Sequence, residues 1–363
     1  MEKKAKVGIT HGDVNSVSYE LIIKLLQENR LCELCTPILY GSPKVAAYYR
    51  KALSVENFNL NAVKTPAEAN AKRTNIISCV DDQVKVDLGI ETPESDQAAM
   101  TALKYALNHL DKKEIDVLTI APQGDKSFAL EESRSLPEYL AKRYDMADAM
   151  TVMVSKQMKI GFVTGYVPLK EVPQRITIKA LGKKLQVLND SLKNDFTLTK
   201  PKIAVLGLNP GMQGQNGGEE TEVITPAIER ARQHGIMAIG PFTADHFFGE
   251  RLYEKFDAVL AMYHDQGSIP FTAIGEEPGI AYVAGLPVVC TFSLEGLGLD
   301  MVGQGVADEQ GLRNALYLAM DIFAHRERNR ELRQNPLPRY DVSSNSNESD
   351  LNVEQIEGVF SEP

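Results

Sequence analysis

The stretch 256–271, FDAVLAMYHDQGSIPF, carries the pattern that decides the fold. An apolar run of strand length, Ala258 to Met262, gives way at once to Tyr263, His264, Asp265, Gln266 and Gly267. A strand buried on both faces reads as such an unbroken apolar run. In open α/β sheets, the loops beyond the carboxyl ends of the strands are the ones that meet ligands. Outward from this stretch the same kind of run recurs as KVGIT (6–10), PILYGS (37–42), NIISCV (75–80), DVLTIAP (116–122), KIGFVTG (159–165), KIAVLGLNP (202–210) and AYVAGLPVVCTF (281–292). Between them lie segments of helical period: SYELIIKLLQEN (18–29), QAAMTALKYALNHL (97–110), TPAIERARQHG (225–235) and LRNALYLAMDIFAHRERNRELR (312–333). Strands that alternate with helices predict an α/β fold with a mostly parallel sheet covered on both faces. Five loops at strand ends are then the places to look for chemistry: THGD (10–13), APQGDK (121–126), TGYVP (164–168), LNPGMQGQNGGEE (208–220) and YHDQG (263–267).

The chain has 363 residues, more than one hydrophobic core usually serves, so two domains are expected. The division is drawn at 1–128 plus 304–333 for the first α/β domain, which is discontinuous, and 129–303 for the second. Residues 334–363, rich in Ser, Asn, Asp and Pro, read as a mobile polar tail with one weakly amphipathic segment, LNVEQIEGVF. Hydrophobic residues make up 43% and charged residues 24%, ordinary for a globular chain. A formal net charge of −10 with dispersed Lys and Arg argues against nucleic acid and anionic membranes as partners. With no leader-like or spanning apolar segment, a cytoplasmic location is expected. Cys32, Cys35, Cys79 and Cys290 form no disulfide framework; the Cys32–Cys35 pair sits where a helix end runs into a strand and reads as packing.

Two motifs carry candidate chemistry. The glycine-rich loop with Asn209, Gly217 and Gly218 precedes a helix expected near Thr221, and it reads either as a phosphate or dinucleotide cradle or as a structural turn. Glu219, Glu220 and Glu222 already complement that helix dipole and oppose an anion. His264 and Asp265, directly after a strand, suit a general acid/base or a metal ligand with a carboxylate partner; the alternative is a hydrogen-bonded structural histidine. Asp245 in GPFTAD offers a second carboxylate. No nucleophile elbow, H-E-x-x-H or Walker loop is present, so serine hydrolase, zincin and P-loop classes have no basis.

Taken in order, GITHGD, TIAP, VPLKEV, LGLNP, GGEE, GPFTAD, FDAVLAMYHDQGSIPF, GLPVV and LDMVGQGVAD resemble the 4-hydroxythreonine-4-phosphate dehydrogenase (PdxA-like) family, over residues 5 to 330. The resemblance implies a homodimer of two-domain α/β subunits similar to isocitrate and isopropylmalate dehydrogenases. It also implies NAD-dependent oxidation of 4-phosphohydroxythreonine in pyridoxine biosynthesis, helped by a zinc-like divalent metal on three histidines. By the same resemblance, the metal positions fall on Tyr166, Gly211 and His264, of which only His264 is a ligand type. The substrate pair falls on Leu136 and Pro137, and the phosphate-binding Lys, Asn and Arg fall on Thr272, Ala281 and Cys290. In the dinucleotide loop Gly296, Asp300 and Gly303 persist, while Glu295 replaces a histidine.

A metal site normally needs three protein ligands, and a thiol or methyl group cannot replace a guanidinium on phosphate. The reading is therefore an oxidoreductase scaffold with a degraded site, a pseudoenzyme candidate in which NAD binding is open and the metal is expected to be absent. A substitute metal set from Asp245, His246, His264 and Asp265 is the less favoured option. Two further functions stay open. One is an enzyme acting on a different small unphosphorylated substrate through Tyr166, His264, Asp265 and Lys126; the other is a non-catalytic binding or regulatory homologue.

Overall fold

A computed structural model describes residues 4–28, 30–56, 58–81, 83–211, 218–275 and 277–334. Gly217 and residues 335–363, nearly all of the tail read from the sequence, lie outside the described residues. The chain separates into a unit spanning 1–326 and a second spanning 327–363. In the second, the described part is the end of a helix in which Arg330 pairs with Glu327.

Among the described residues twelve strands form one sheet: β1 Lys6–Thr10, β2 Thr36–Gly41, β3 Asn61–Val63, β4 Asn75–Ser78, β5 Val117–Ile120, β6 Met150–Val154, β7 Lys159–Phe162, β8 Lys202–Leu206, β9 Met237–Phe242, β10 Ala258–Ala261, β11 Ile280–Ala284 and β12 Cys290–Ser293. The α-helices are α1 Ser18–Gln27, α2 Leu31–Leu34, α3 Pro43–Ala52, α4 Pro93–Asp111, α5 Asp125–Ala129, α6 Leu136–Arg143, α7 Val172–Arg175, α8 Ile178–Asn194, α9 Thr225–Gln233, α10 Ala244–Gly249, α11 His264–Ile274 and α12 Gln310–Gln334. The sheet order is β3-β4-β2-β1-β5-β12-β11-β6-β7-β10-β8-β9. The mixed α/β class with a largely parallel sheet is as the sequence predicts: eight pairings among the described residues are parallel and three antiparallel.

The antiparallel pairings are consecutive, β12–β11, β11–β6 and β6–β7. They correct the reading of AYVAGLPVVCTF as one strand. Gly285 takes φ 84°, a left-handed conformation that glycine tolerates and a β-branched residue does not, and there the run folds back into β11 and β12. The β6–β7 hairpin closes where Ser155 N donates to Met158 O at 3.0 Å. Three reversals leave β1, β2, β3, β4, β5 and β12 running one way and β7, β8, β9 and β10 the other. The THGD and APQGDK loops follow strands of the first sense, and TGYVP, LNPG and YHDQG follow strands of the second. The five loops do not share one carboxyl edge.

Local chemistry accounts for the helices. At the start of α4, Thr92 Oγ1 accepts from Ser95 N at 3.1 Å and Ser95 Oγ accepts from Thr92 N at 3.2 Å, with Pro93 in the first turn. α11 lies directly on the sheet because Gly267 has no side chain: a Cβ there would stand 2.7 Å from Ile160 Cγ2 and 2.8 Å from Phe162 Cε1. β11 is tied to its flanking helices by a buried polar network. Arg326 Nε donates to Asp195 Oδ1 at 2.6 Å and its Nη2 to Oδ2 at 3.1 Å. Tyr282 of β11 donates to the same carboxylate at 3.4 Å and contacts the Ser191 hydroxyl on α8. Asp195 is buried, so removing it strands a largely enclosed guanidinium. Asp195→Ala is expected to cost about 3 kcal/mol, read as a lower urea midpoint at neutral pH; an unchanged midpoint would show that β11 does not depend on this network.

Candidate functional site

Parallel pairing brings three loops of the first sense together. β1, β5 and β12 are neighbours, so the chain leaving each emerges side by side. Asp13 N donates to Pro122 O at 2.9 Å and Val17 N to Leu297 O at 3.0 Å. Residues 11–18 are all buried, and the loop after β1 is sealed by its own contacts. His11 stacks on Tyr19 with ring centroids 5.5 Å apart, and burial pushes its imidazole down to about 4. What the three loops leave open is a cleft of about 390 Å³, lined by Glu91, Gln123, Asp125, Lys126, Glu295 and Gly296 among others. Lys126 donates to Glu91 in a close ion pair.

The second loop set centres on His264, the first residue of α11. Its Nδ1 lies 3.0 Å from Asp265 Oδ1 and 3.3 Å from Ser268 Oγ, while Nε2 is buried without a partner. The ring stacks on Phe162 at 5.5 Å and meets the Tyr166 ring at 4.8 Å. Tyr166, 46% exposed, follows β7, which pairs in parallel with β10 and so delivers its loop beside His264. Its phenol is pushed above the ordinary range by burial and then by the charges of Asp125 and Asp265.

Other expected site residues lie elsewhere. Asp245 is exposed in the first turn of α10, held below the usual carboxylate range by the Thr243 side chain and the backbone of His246. No hydrogen bond among the described residues joins it to His264. Asn209 and Gly218 flank the undescribed part of the glycine-rich loop. There the Glu220 carboxylate takes the amides of Leu208 and Asn209, both at 2.8 Å, and Asn209 Nδ2 donates to Glu219 at 3.1 Å. The helix expected near Thr221 opens as a π-helical turn, Glu220–Ile224, ahead of α9. Asp300 accepts from the Gln304 side chain through its backbone carbonyl, and Gly303 takes φ 78°.

Of the positions matched to substrate contacts, Ala281 and Cys290 are interior side chains of β11 and β12, packed in separate apolar clusters. Leu136 is buried and begins α6, followed by Pro137; Thr272 is exposed on α11. Gly211 is exposed at φ 82°, a conformation a histidine adopts only with strain.

Gln266, read from the sequence only as a neighbour of His264, clamps the start of α11. Its Oε1 accepts from Met262 N at 2.7 Å and its Nε2 donates to Gly207 O at 2.6 Å. The sequence reading missed Glu91, whose place in the cleft follows from tertiary proximity and leaves no local motif.

The family model for "Pyridoxal phosphate biosynthetic protein PdxA" matches residues 33–319. The chain belongs to the PdxA family. It is 40% identical over 362 residues to a 4-hydroxythreonine-4-phosphate dehydrogenase of Bacteroides thetaiotaomicron, covering 98% of this chain and 99% of that one. A 4-hydroxythreonine-4-phosphate dehydrogenase of Sulfurihydrogenibium sp. is 30% identical over 321 residues, covering 87% of this chain and 97% of its own length. Among solved structures, the 4-hydroxythreonine-4-phosphate dehydrogenase of Klebsiella pneumoniae superposes with a TM-score of 0.76 at 25% identity, covering 88% of this chain and 100% of that one.

Among the described residues, no three His, Cys, Asp or Glu side chains converge on a point where a metal ion would be held. The Tyr166 ring lies beside the His264 ring, centroids 4.8 Å apart. The donor set does not fit a three-histidine centre. Around Asn209 the described loop presents carboxylates and amides already engaged by Glu220, a surface that does not fit a pyrophosphate. No helix of the described residues is long and apolar enough to cross a membrane.

The carboxyls of this region repel one another. Asp96, 7% exposed in the first turn of α4, is pushed up to about 6 by burial, then by Glu91 and Asp13. A carboxyl whose folded value exceeds its unfolded 3.8 favours folding most below 3.8, and that contribution is lost as pH rises through about 6. Asp96→Asn is therefore expected to gain stability over the parent between pH of about 4 and 6 and to hold the gain at neutrality. Melting temperatures of both proteins across that range measure it, and a difference that does not change with pH would count against the burial and repulsion described.

Proposed function

We propose that in this PdxA-family protein the metal-dependent oxidation of 4-phosphohydroxythreonine is lost or very weak, and that the site acts on a different, small, unphosphorylated molecule. The observation that carries the reading is the setting of His264, an imidazole packed against two aromatic rings and, among the described residues, outside any cluster of three metal-ligating side chains. The phosphate positions support it, since Ala281 and Cys290 offer neither charge nor access. Parent substrate would meet no guanidinium at Cys290 and no ammonium at Thr272, so its phosphate would go uncompensated.

The remaining groups support proton-transfer chemistry. With the Asp265 carboxylate accepting from Nδ1–H, the lone pair of His264 sits on Nε2, the nitrogen left without a protein partner. That arrangement gives a base oriented by a carboxylate, with the Tyr166 hydroxyl as a neighbouring acid. The same reading takes the protein as a homodimer, with NAD, the cofactor of the family's dehydrogenases, as a candidate ligand of this site.

Purified protein, supplied with zinc, NAD and 4-phosphohydroxythreonine, is expected to hold less than stoichiometric metal by elemental analysis and to reduce NAD at a rate at least 10³-fold below an active family member, on the order of one lost transition-state contact or more. Stoichiometric zinc with brisk turnover would overturn the proposal.

A further inference from the structure

His264 carries the nitrogen of a base where no ligand reaches it. Its Nε2 is buried and takes no hydrogen bond. With Nδ1–H given to Asp265 Oδ1 at 3.0 Å, the free lone pair belongs to that enclosed nitrogen. A general base works only within hydrogen-bond reach of the proton it takes. Whatever covers Nε2 must therefore move before the site acts.

Two aromatic rings lie against the imidazole, and they differ in freedom. Phe162 stacks on it at 5.5 Å with 24° between the planes. It is buried, ends β7 in register with Ala261, and meets α11 so closely that a Cβ on Gly267 would stand 2.8 Å from its Cε1. Phe162 cannot leave without parting α11 from the sheet. Tyr166, at 4.8 Å and 39°, is exposed, and no hydrogen bond among the described residues holds its hydroxyl. Its loop is fixed at one end, where the Thr164 amide and hydroxyl both donate to Met262 O, at 3.2 and 2.9 Å. Gly165 follows, exposed, with open space where a Cβ would stand. The next contact along the backbone is local, Val167 N to Gly165 O at 2.9 Å. An anchored residue followed by an unhindered glycine is the build of a hinge.

We propose that Tyr166 is a gate over His264: its ring lies closed on the imidazole and swings out about Gly165 to admit a ligand to Nε2. The inference rests on the reading of His264 as the base of this site and adds how access to it is controlled. The same swing carries the Tyr166 hydroxyl, so access and the placing of the neighbouring acid are one motion. A ligand then binds in proportion to the fraction of molecules with the ring turned out.

Diethyl pyrocarbonate tests the gate on the full-length protein at neutral pH. It carbethoxylates an accessible unprotonated imidazole nitrogen, with release of ethanol and carbon dioxide, and peptide mass reads the rate at each histidine. The chain carries its own references: His234 and His246 are exposed, and His11 is fully buried. His264 is expected to react more slowly than His234 and His246. Tyr166→Ala should speed His264 about fivefold, the population ratio that one aromatic pair sustains. Tyr166→Phe keeps the ring and should stay at the parent's rate. His11 should remain unmodified in both variants, which shows that the fold is intact; should Tyr166→Ala expose it, Tyr166→Leu is read by the same criterion. A parent His264 as reactive as His234 would overturn the proposal. So would a rate that the loss of the ring leaves unchanged, or one that Tyr166→Phe raises as much as Tyr166→Ala. Brisk zinc-dependent turnover of 4-phosphohydroxythreonine would sink the proposed function while leaving a ring-dependent labelling rate in place. Labelling indifferent to the ring, with turnover still absent, would sink only this inference.

Discussion

β11, five residues with no exposed side chain, has antiparallel partners on both edges, and the rest of the sheet takes its direction from that placement. Parallel ladders on either side are joined by three successive reversals, so one group of loops follows strands running opposite to those of the other group. The strand keeps its place through the Asp195–Arg326 pair and the Tyr282 hydroxyl, which link it to α8 and α12. A buried ion pair is weak evidence of added stability, but one partner without the other is costly, so such a network specifies a register more than it strengthens a fold. Asp125 and Asp265, one from each loop group, both push the Tyr166 phenol above its ordinary range, after burial.

The YHDQG stretch shows how one motif divides between structure and chemistry. Gly267 lets α11 sit against β7 and β10 at a distance no side chain permits, and Gln266 locks the start of that helix to the ends of β8 and β10. These two residues set the direction in which His264 points. Asp265 and Ser268 then orient its ring, and the aromatic faces of Phe162 and Tyr166 hold it. The scaffold of the motif can therefore persist while the groups around the imidazole change, since what positions His264 is separate from whatever it would act upon.

Cys290 and Ala281 lie in apolar clusters beside the sheet, where a guanidinium or amide would have to be drawn out of water. Acids gather where the loops after β5 and β12 meet: Glu91, Asp125 and Glu295 line the cleft there, and an anionic ligand would meet their repulsion.

Much was legible in the sequence alone. Apolar runs broken by Gly, Pro and Asp marked seven strands, and helical period marked α1, α4, α9 and α12, because burial on both faces of a sheet and one face of a helix leaves a local periodic trace. The chemical types at Tyr166, Gly211, Ala281 and Cys290 also follow from the residues themselves, whatever their surroundings. The split of 281–292 into two strands was not legible, since one glycine in a β-branched run reads equally as a bulge or a reversal. Nor was β6, whose short MTVMV run is specified by partners far along the chain. The cleft was least legible of all: Glu91, Gln123 and Glu295 come from three separated segments, and their common electrostatics exists only where the fold, with β5 paired to β12, brings those segments together. Periodicity is a property of neighbours in sequence, whereas a site's charge is a property of neighbours in space, and only the tertiary structure decides the second.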